Sequence, residues 1–197
     1  MMNPAQPTSI QIVSPDPHWR EEFRQIAVQL RQALGSQALR IDHIGSTAVA
    51  GLPAKDRIDI QITVSALTSA IEQAIEQSGY PRVPTIDHDH LPAGGPTDPT
   101  EWQKWLFKSP EGKRPANIHV RLQGRANQRY ALLFRDYLRA HPIAAQTYAQ
   151  IKQVLARLHP DDMDAYYDVK DPVCDLILQA AELWATACNW HAGQSDA

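Results

Sequence analysis

The hydrophobic positions of the chain fall first at a helical period. Trp19, Phe23, Ile26, Leu30 and Leu34 recur every three or four residues, the spacing of one helical stripe. Asp16 before Pro17 supplies a cap and a proline at the first helical position, and Gly35 supplies a stop. The period then changes to two. Leu39 to Ile44 reads as a short strand and Arg57 to Val64 as a second, in which Ile58, Ile60, Ile62 and Val64 point one way and Asp59, Gln61 and Thr63 the other. A polar row on so regular a strand calls for a reason.

Leu67, Ile71, Ala74 and Ile75 predict a second helix ending at Gly79, and Tyr80 to Val83 a short third strand. Regularity then stops: Pro84 to Thr100 carries four prolines, two glycines and the run Asp87-His88-Asp89-His90, the composition of a long loop. Trp102 to Lys108 and Ala116 to Leu122 read as a hairpin around Glu111-Gly112-Lys113, with Asn117, His119 and Arg121 on one face. From Asn127 the pattern is helical. Tyr130, Leu133, Phe134, Tyr137 and Leu138 make one stripe, which stops near His141-Pro142. Ala145, Tyr148, Ile151, Leu155 and Leu158 make a second, and a third helix begins near Ala165, is restarted or kinked at Asp171-Pro172, and runs to Trp190. No repeat interrupts this order, which predicts the mixed α+β class with a C-terminal helical half. One domain is expected over 10–190, sheet-rich in 10–125 and helical in 126–190, with flexible termini at 1–9 and 191–197.

Composition narrows the function classes. The 197 residues are 43% hydrophobic, and 19 basic side chains face 22 acidic ones, a formal net charge of −3. A chain of this length buries a core without help from disulfides or metals. The acidic excess argues against a protein that coats nucleic acid or an anionic membrane, so neither is expected as a partner. Cys174 and Cys188 lie on one expected helix, about 21 Å apart along its axis, too far to bridge. Met1 to Ser9 has no basic or apolar leader pattern, and no stretch reaches the length of an apolar membrane span. Two reduced thiols and a cytoplasmic location are the expectation. The sequence leaves the oligomeric state open.

Candidate chemistry gathers at His43-Ile44-Gly45-Ser46-Thr47, followed by Lys55 and by Asp59 on the next strand. A glycine followed by two hydroxyl residues at a turn can present N–H groups and hydroxyls to a phosphate, and a carboxylate on the adjoining strand can hold Mg²⁺ against it. The bland alternative is an ordinary turn beside a solvated aspartate. Arg135 and Arg139 are four apart on one helix, so both guanidiniums can converge on one anion, with Asp136 as neighbour, while Lys152 and Lys170 can add charge from the following helices. Surface arginines paired with local acids are the competing reading. Asp87 to His90 reads as an exposed polar loop, as transition-metal ligands joined by His43 or His119, or, with Gly94-Gly95, as a lid.

These residues carry a resemblance. His43-Ile44-Gly45-Ser46-Thr47-Ala48-Val49, Gly51-Leu52, Ala54-Lys55, Ile58-Asp59-Ile60, Ile118-His119-Val120-Arg121, and Leu133 through Arg139 with Trp19, Tyr148, Lys152, Tyr166 and Lys170 resemble the GrpB family, a branch of the nucleotidyltransferase superfamily. The resemblance runs from about residue 10 to about residue 185. It implies a nucleotidyltransferase-like small mixed β-sheet flanked by helices, with the Gly45-Ser46 turn facing a nucleotide's phosphates. It implies Mg²⁺-dependent transfer of a nucleotidyl group from a nucleoside triphosphate to a small-molecule acceptor. In some bacteria a domain of this kind is fused to dephospho-coenzyme A kinase. Asp59 and His119 would be catalytic and Asp59 and Gln61 the metal ligands; His43, Gly45, Ser46, Thr47, Lys55, Arg121, Arg135, Arg139, Lys152 and Lys170 would bind the nucleotide or another phosphorylated small molecule. The superfamily places a second carboxylate two residues beyond the first, where this chain has Gln61. That substitution removes a full negative charge from a hard-cation site. Three readings follow: a single-metal transferase using Asp59 and His119, a nucleotide- or phosphate-binding domain without transfer, and a site moved to another metal or acceptor.

Overall fold

A computed structural model describes residues 9–197. The terminal segment expected to be flexible at 1–9 lies outside the described residues except for Ser9. Helix α1 runs from Trp19 to Leu34 and buries the predicted stripe. The cap position is taken by His18 rather than Asp16, and Pro17 lies in the turn before the helix; the Asp16 carboxylate accepts the His18 N–H at 2.8 Å. Strands β1 (Arg40–Ile44) and β2 (Ile58–Val64) pair antiparallel. Helix α2 (Ser69–Gln77) starts on Thr68, whose hydroxyl accepts the Ile71 N–H at 3.4 Å. The hairpin is β3 (Lys104–Lys108) and β4 (Ala116–Leu122), and β4 joins β2 in parallel, giving the order β1-β2-β4-β3. Three helices follow: α3 (Ala126–Ala140), α4 (Pro142–Leu158) and α5 (Met163–Cys188). The class is the expected mixed α+β, a small mixed sheet flanked by helices.

The register separates two faces. Ile41 of β1, Ile58, Ile60, Ile62 and Val64 of β2, Ile118 and Val120 of β4 and Phe107 of β3 join the α1 stripe and α2's Ile71 and Ile75 in one core. Burying each such aliphatic side chain stabilises the fold by about 1.5–3 kcal/mol. The opposite face carries Arg40 and Asp42, then Asp59, Gln61 and Thr63, then Asn117, His119 and Arg121. The C-terminal helices cover it, α3 contacting β1, β2 and β4. The polar row of β2 thus lies inside the protein, between sheet and helices.

Four further expectations change. Tyr80 to Val83 forms only an isolated bridge between Arg82 and Phe107, because Pro81 and Pro84 have no N–H to continue a ladder. Trp102 belongs to a 3₁₀ turn at Pro99–Trp102 rather than to β3. Pro172 neither breaks nor restarts α5: it and Asp168, whose carbonyl loses its helical partner, are both exposed, so water can serve that carbonyl. The segment 191–197, expected to be flexible, returns along the edge of β1, where Ser195 Oγ accepts from Ile41 N at 2.8 Å and Asp196 Oδ2 accepts from His43 N at 2.9 Å. Among the described residues, no helix is long and apolar enough to cross a membrane.

Candidate functional site

The site begins where β1 ends. Gly45 takes φ +70°, and a Cβ there would stand 2.5 Å from Asp59 Oδ2, so only glycine lets the turn close onto that carboxylate. Beyond it, Ser46–Ala48 form a 3₁₀ turn. Thr47 Oγ1 pairs with His43 Nε2 at 3.0 Å and donates to Arg57 O at 3.3 Å. Lys152, reaching in from α4, donates to Ser46 Oγ at 2.8 Å and to Pro53 O at 2.7 Å. The turn is therefore held by β1 and α4 together.

Of three neighbouring lysines, Lys152 touches this turn, while Lys55 stands 3.3 Å from Met163 Sδ and Lys170 pairs with Asp171 at 3.1 Å. Lys152 packs over the Tyr148 ring, Lys55 over the rings of Tyr166 and Tyr167 at 4.2 and 4.8 Å, and Lys170 over Tyr167 at 5.3 Å. Burial, then the Lys170 charge, lowers Lys152 to about 7. Burial, Lys170 and Arg57 lower Lys55 to about 8. Burial is the larger cause at both lysines, and the neighbouring cations add to it. Burial pushes the Tyr166 hydroxyl up to about 12, so that ring stays neutral.

Asp59 stands opposite the lysines. Its Oδ1 accepts from Asn117 Nδ2 at 2.8 Å, and His119 Nε2 lies 3.8 Å from the same oxygen. Burial raises the carboxyl's pKa, but His119, Asn117 and the Arg57 charge outweigh it and hold the group below its ordinary value. Burial lowers His119, against the pull of Asp59, so the imidazole is neutral at pH 7. Its Nδ1 is buried without a partner among the described residues.

Gln61, expected beside Asp59 as a metal ligand, is engaged elsewhere. It is fully buried; its Oε1 accepts from Arg121 at 2.7 Å and its Nε2 donates to Gln128 O at 3.1 Å. Arg121 in turn grips Asp89 through Nε and Nη2 at 2.8 and 2.9 Å, and Lys104 and Asn127 complete that carboxylate's shell at 2.7 and 3.0 Å. Arg121 is thus a clasp for the 84–100 loop rather than a ligand group. His88 pairs with Asp87 and His90 with Asp175, so the loop's acids and histidines diverge. Among the described residues, no group of three or more His, Cys, Asp or Glu side chains is placed to hold a metal.

The arginine pair also turns away from the lysines. Arg135 is buried and donates to His43 O at 3.0 Å and to Asp136 and Asp196, while Arg139 donates twice to Ala48 O, at 3.0 and 2.9 Å. They brace the turn from behind. His43 lies on the apolar face stacked on Phe23 with centroids 4.7 Å apart, and burial lowers it to about 4, leaving it a neutral support for Thr47. A cavity of about 1190 Å³ lies on this side, between α1, residues 47–53 and Arg139, and includes neither Asp59 nor the lysines. The site thus unites Gly45, Ser46, Thr47, Lys55, Lys152, Lys170, Asp59 and His119. Sequence reasoning passed over Arg57 and Tyr167 as site groups; the one available signal was Tyr166-Tyr167, a single helical turn before Lys170.

The chain is thus an α+β protein in which a single carboxylate closes onto a glycine-serine turn held by a lysine, on a small mixed sheet flanked by helices. The match to the family model described as GrpB protein covers residues 9–180, and the chain belongs to the GrpB family. The crystal structure of the conserved protein GrpB from Enterococcus faecalis superposes with a TM-score of 0.71 at 28% identity, over 88% of this chain and 99% of that one. Relatives include a protein named dephospho-CoA kinase from Mycobacterium bovis, 39% identical over 91% of this chain and 48% of its own length. The UPF0157 protein YqkA of Bacillus subtilis is 32% identical over 95% and 50%. The chain spans about half the length of these two relatives.

Proposed function

We propose that this chain binds a nucleoside triphosphate and transfers its nucleotidyl group to a small-molecule acceptor with the help of Mg²⁺. The observation that carries the reading is the juxtaposition of Asp59 with the Gly45-Ser46 turn and three lysines. Ser46, the Thr47 N–H, Lys55, Lys152 and Lys170 would hold phosphate oxygens. Asp59 would hold Mg²⁺; one carboxylate together with substrate phosphates is an adequate donor set for that ion, whose role is to neutralise phosphate charge. His119, neutral and close to Asp59, suits acceptance of the acceptor hydroxyl's proton. The free Cys174 and Cys188 favour the cytoplasm.

The commitment of Gln61 to Arg121 and Gln128 supports a second reading, a nucleotide- or phosphate-binding domain without transfer. Diphosphate release from each nucleoside triphosphate, measured with pooled small-molecule acceptors and with an Asp59→Asn control, separates the two. Release that the control loses supports transfer; nucleotide binding with no release supports the binding domain.

A further inference from the structure

We propose that Ser46 and Lys152 form a nucleophile pair, in which Ser46 Oγ attacks an activated phosphoryl donor and becomes a serine phosphoester. This goes beyond nucleotide binding and does not require it.

Lys152 Nζ lies 2.8 Å from Ser46 Oγ and is fixed there by Pro53 O at 2.7 Å and by the Tyr148 ring. Lys152 is buried, whereas Ser46 is half-buried and open to a reagent. The backbone N–H groups of Ser46 and Thr47 have no acceptor among the described residues, which leaves two donors free for a phosphoryl oxygen. Lys170 and Lys55 add positive charge, which suits a phosphoryl group rather than a neutral acyl carbon. A serine hydroxyl is a weak nucleophile alone and needs an adjacent base. The groups that set the proton affinity of Lys152 are Lys170 and Cys174 from α5, Asp59 and Lys55 from the sheet side, and burial itself; together they hold it near neutrality. A useful fraction is therefore the free amine at pH 7.

The step balances without an oxidant or reductant. As Oγ bonds to phosphorus, its proton passes to the Lys152 amine. The bond from phosphorus to the leaving group breaks with its electron pair on the leaving group, and the ammonium returns the proton to that group or to solvent.

The test treats the full chain with an alkyl fluorophosphonate, in which the P–F bond breaks and fluoride leaves. Intact mass and peptide mapping locate the adduct, and its rate is followed from pH 6 to 9. The expected result is one adduct, on Ser46, with a rate that rises through a midpoint near 7 and levels off. Lys152→Met should slow it by about 100-fold or more, and Lys152→Arg, which keeps the charge but cannot take the proton, should slow it comparably. Inorganic phosphate should protect. Should either variant fail to fold, the native profile and the adduct's position decide alone. Absence of the Ser46 adduct, an equal rate in Lys152→Arg, or a rate still climbing at pH 9 overturns the pair. Nucleotide binding is read separately by calorimetry, so loss of one result leaves the other standing.

Discussion

Replacing Asp89 by asparagine removes the charge from a carboxylate that touches Arg121 twice, Lys104 once and Asn127 once, all within 3.0 Å. Arg121 and Lys104 are both buried, at 6% and 8% exposure, so the variant leaves two cations facing an amide in the interior. Breaking a buried pair from one side costs about 3–5 kcal/mol, mostly the penalty for the uncompensated charge. For a chain of this size that is a drop in Tm of roughly 6–20 °C. Urea unfolding measures it as a lower midpoint at unchanged slope. The effect also has a pH signature. These cations hold the Asp89 carboxyl well below the ordinary carboxylate range, with burial opposing them. A carboxyl depressed in the folded state contributes fully above its unfolded value of about 3.9 and loses that contribution as pH falls below it. The gap between wild type and Asp89→Asn should be widest near neutrality and shrink below about pH 4. Changing Asp89, Arg121 and Lys104 together to apolar residues should recover most of the loss. A loss under about 1 kcal/mol, or a gap that widens in acid, would refute the clasp.

Gln61→Leu should cost about 1–3 kcal/mol by leaving Arg121 Nη1 and Gln128 O unpaired, while leaving the magnesium dependence of nucleotide binding unchanged; denaturant melts and calorimetry check the two halves. Gly45→Ala should place a methyl 2.5 Å from Asp59 Oδ2 at a φ of +70° and so lower stability and abolish phosphate binding, seen by thermal melts with and without inorganic phosphate. Phosphate affinity should weaken as pH rises from 7 to 9, because Lys152 and Lys55, near 7 and 8, lose the protons that attract the anion; a flat profile contradicts this. By the same linkage, binding at pH 8 should take up protons, measurable as a dependence of the binding heat on the buffer's ionisation enthalpy.

The two-faced sheet was legible because β2 alternates strictly and fixes which side every cross-strand neighbour shows. The turn and Asp59 stood out because a glycine followed by two hydroxyl residues stands between two strands shortly before a carboxylate, although an ordinary turn carries the same residue types. What escaped was set by partners distant in the chain. Gln61 looks like a degraded carboxylate until Arg121, sixty residues on, is found against it. Arg135 and Arg139 are correctly on one face, yet their guanidiniums are taken by the backbone carbonyls of His43 and Ala48. Asp89 carries no local sign of the two cations that grip it, and Pro172 reads as a restart or kink because a sequence does not show that Asp168 faces water. Helical periodicity placed α3 to α5 and put Lys152 and Lys170 on them, but not the contact of Lys152 with Ser46 or of Lys170 with Asp171.

The central claim is that Asp59 and the lysines form one magnesium-nucleotide site. Calorimetric titration of the protein with each nucleoside triphosphate, with and without Mg²⁺ and beside Asp59→Asn, tests it most directly. The account predicts binding that Mg²⁺ strengthens and that Asp59→Asn reduces to the magnesium-free level. Absence of binding to every nucleotide, or binding that neither Mg²⁺ nor the substitution alters, would contradict it.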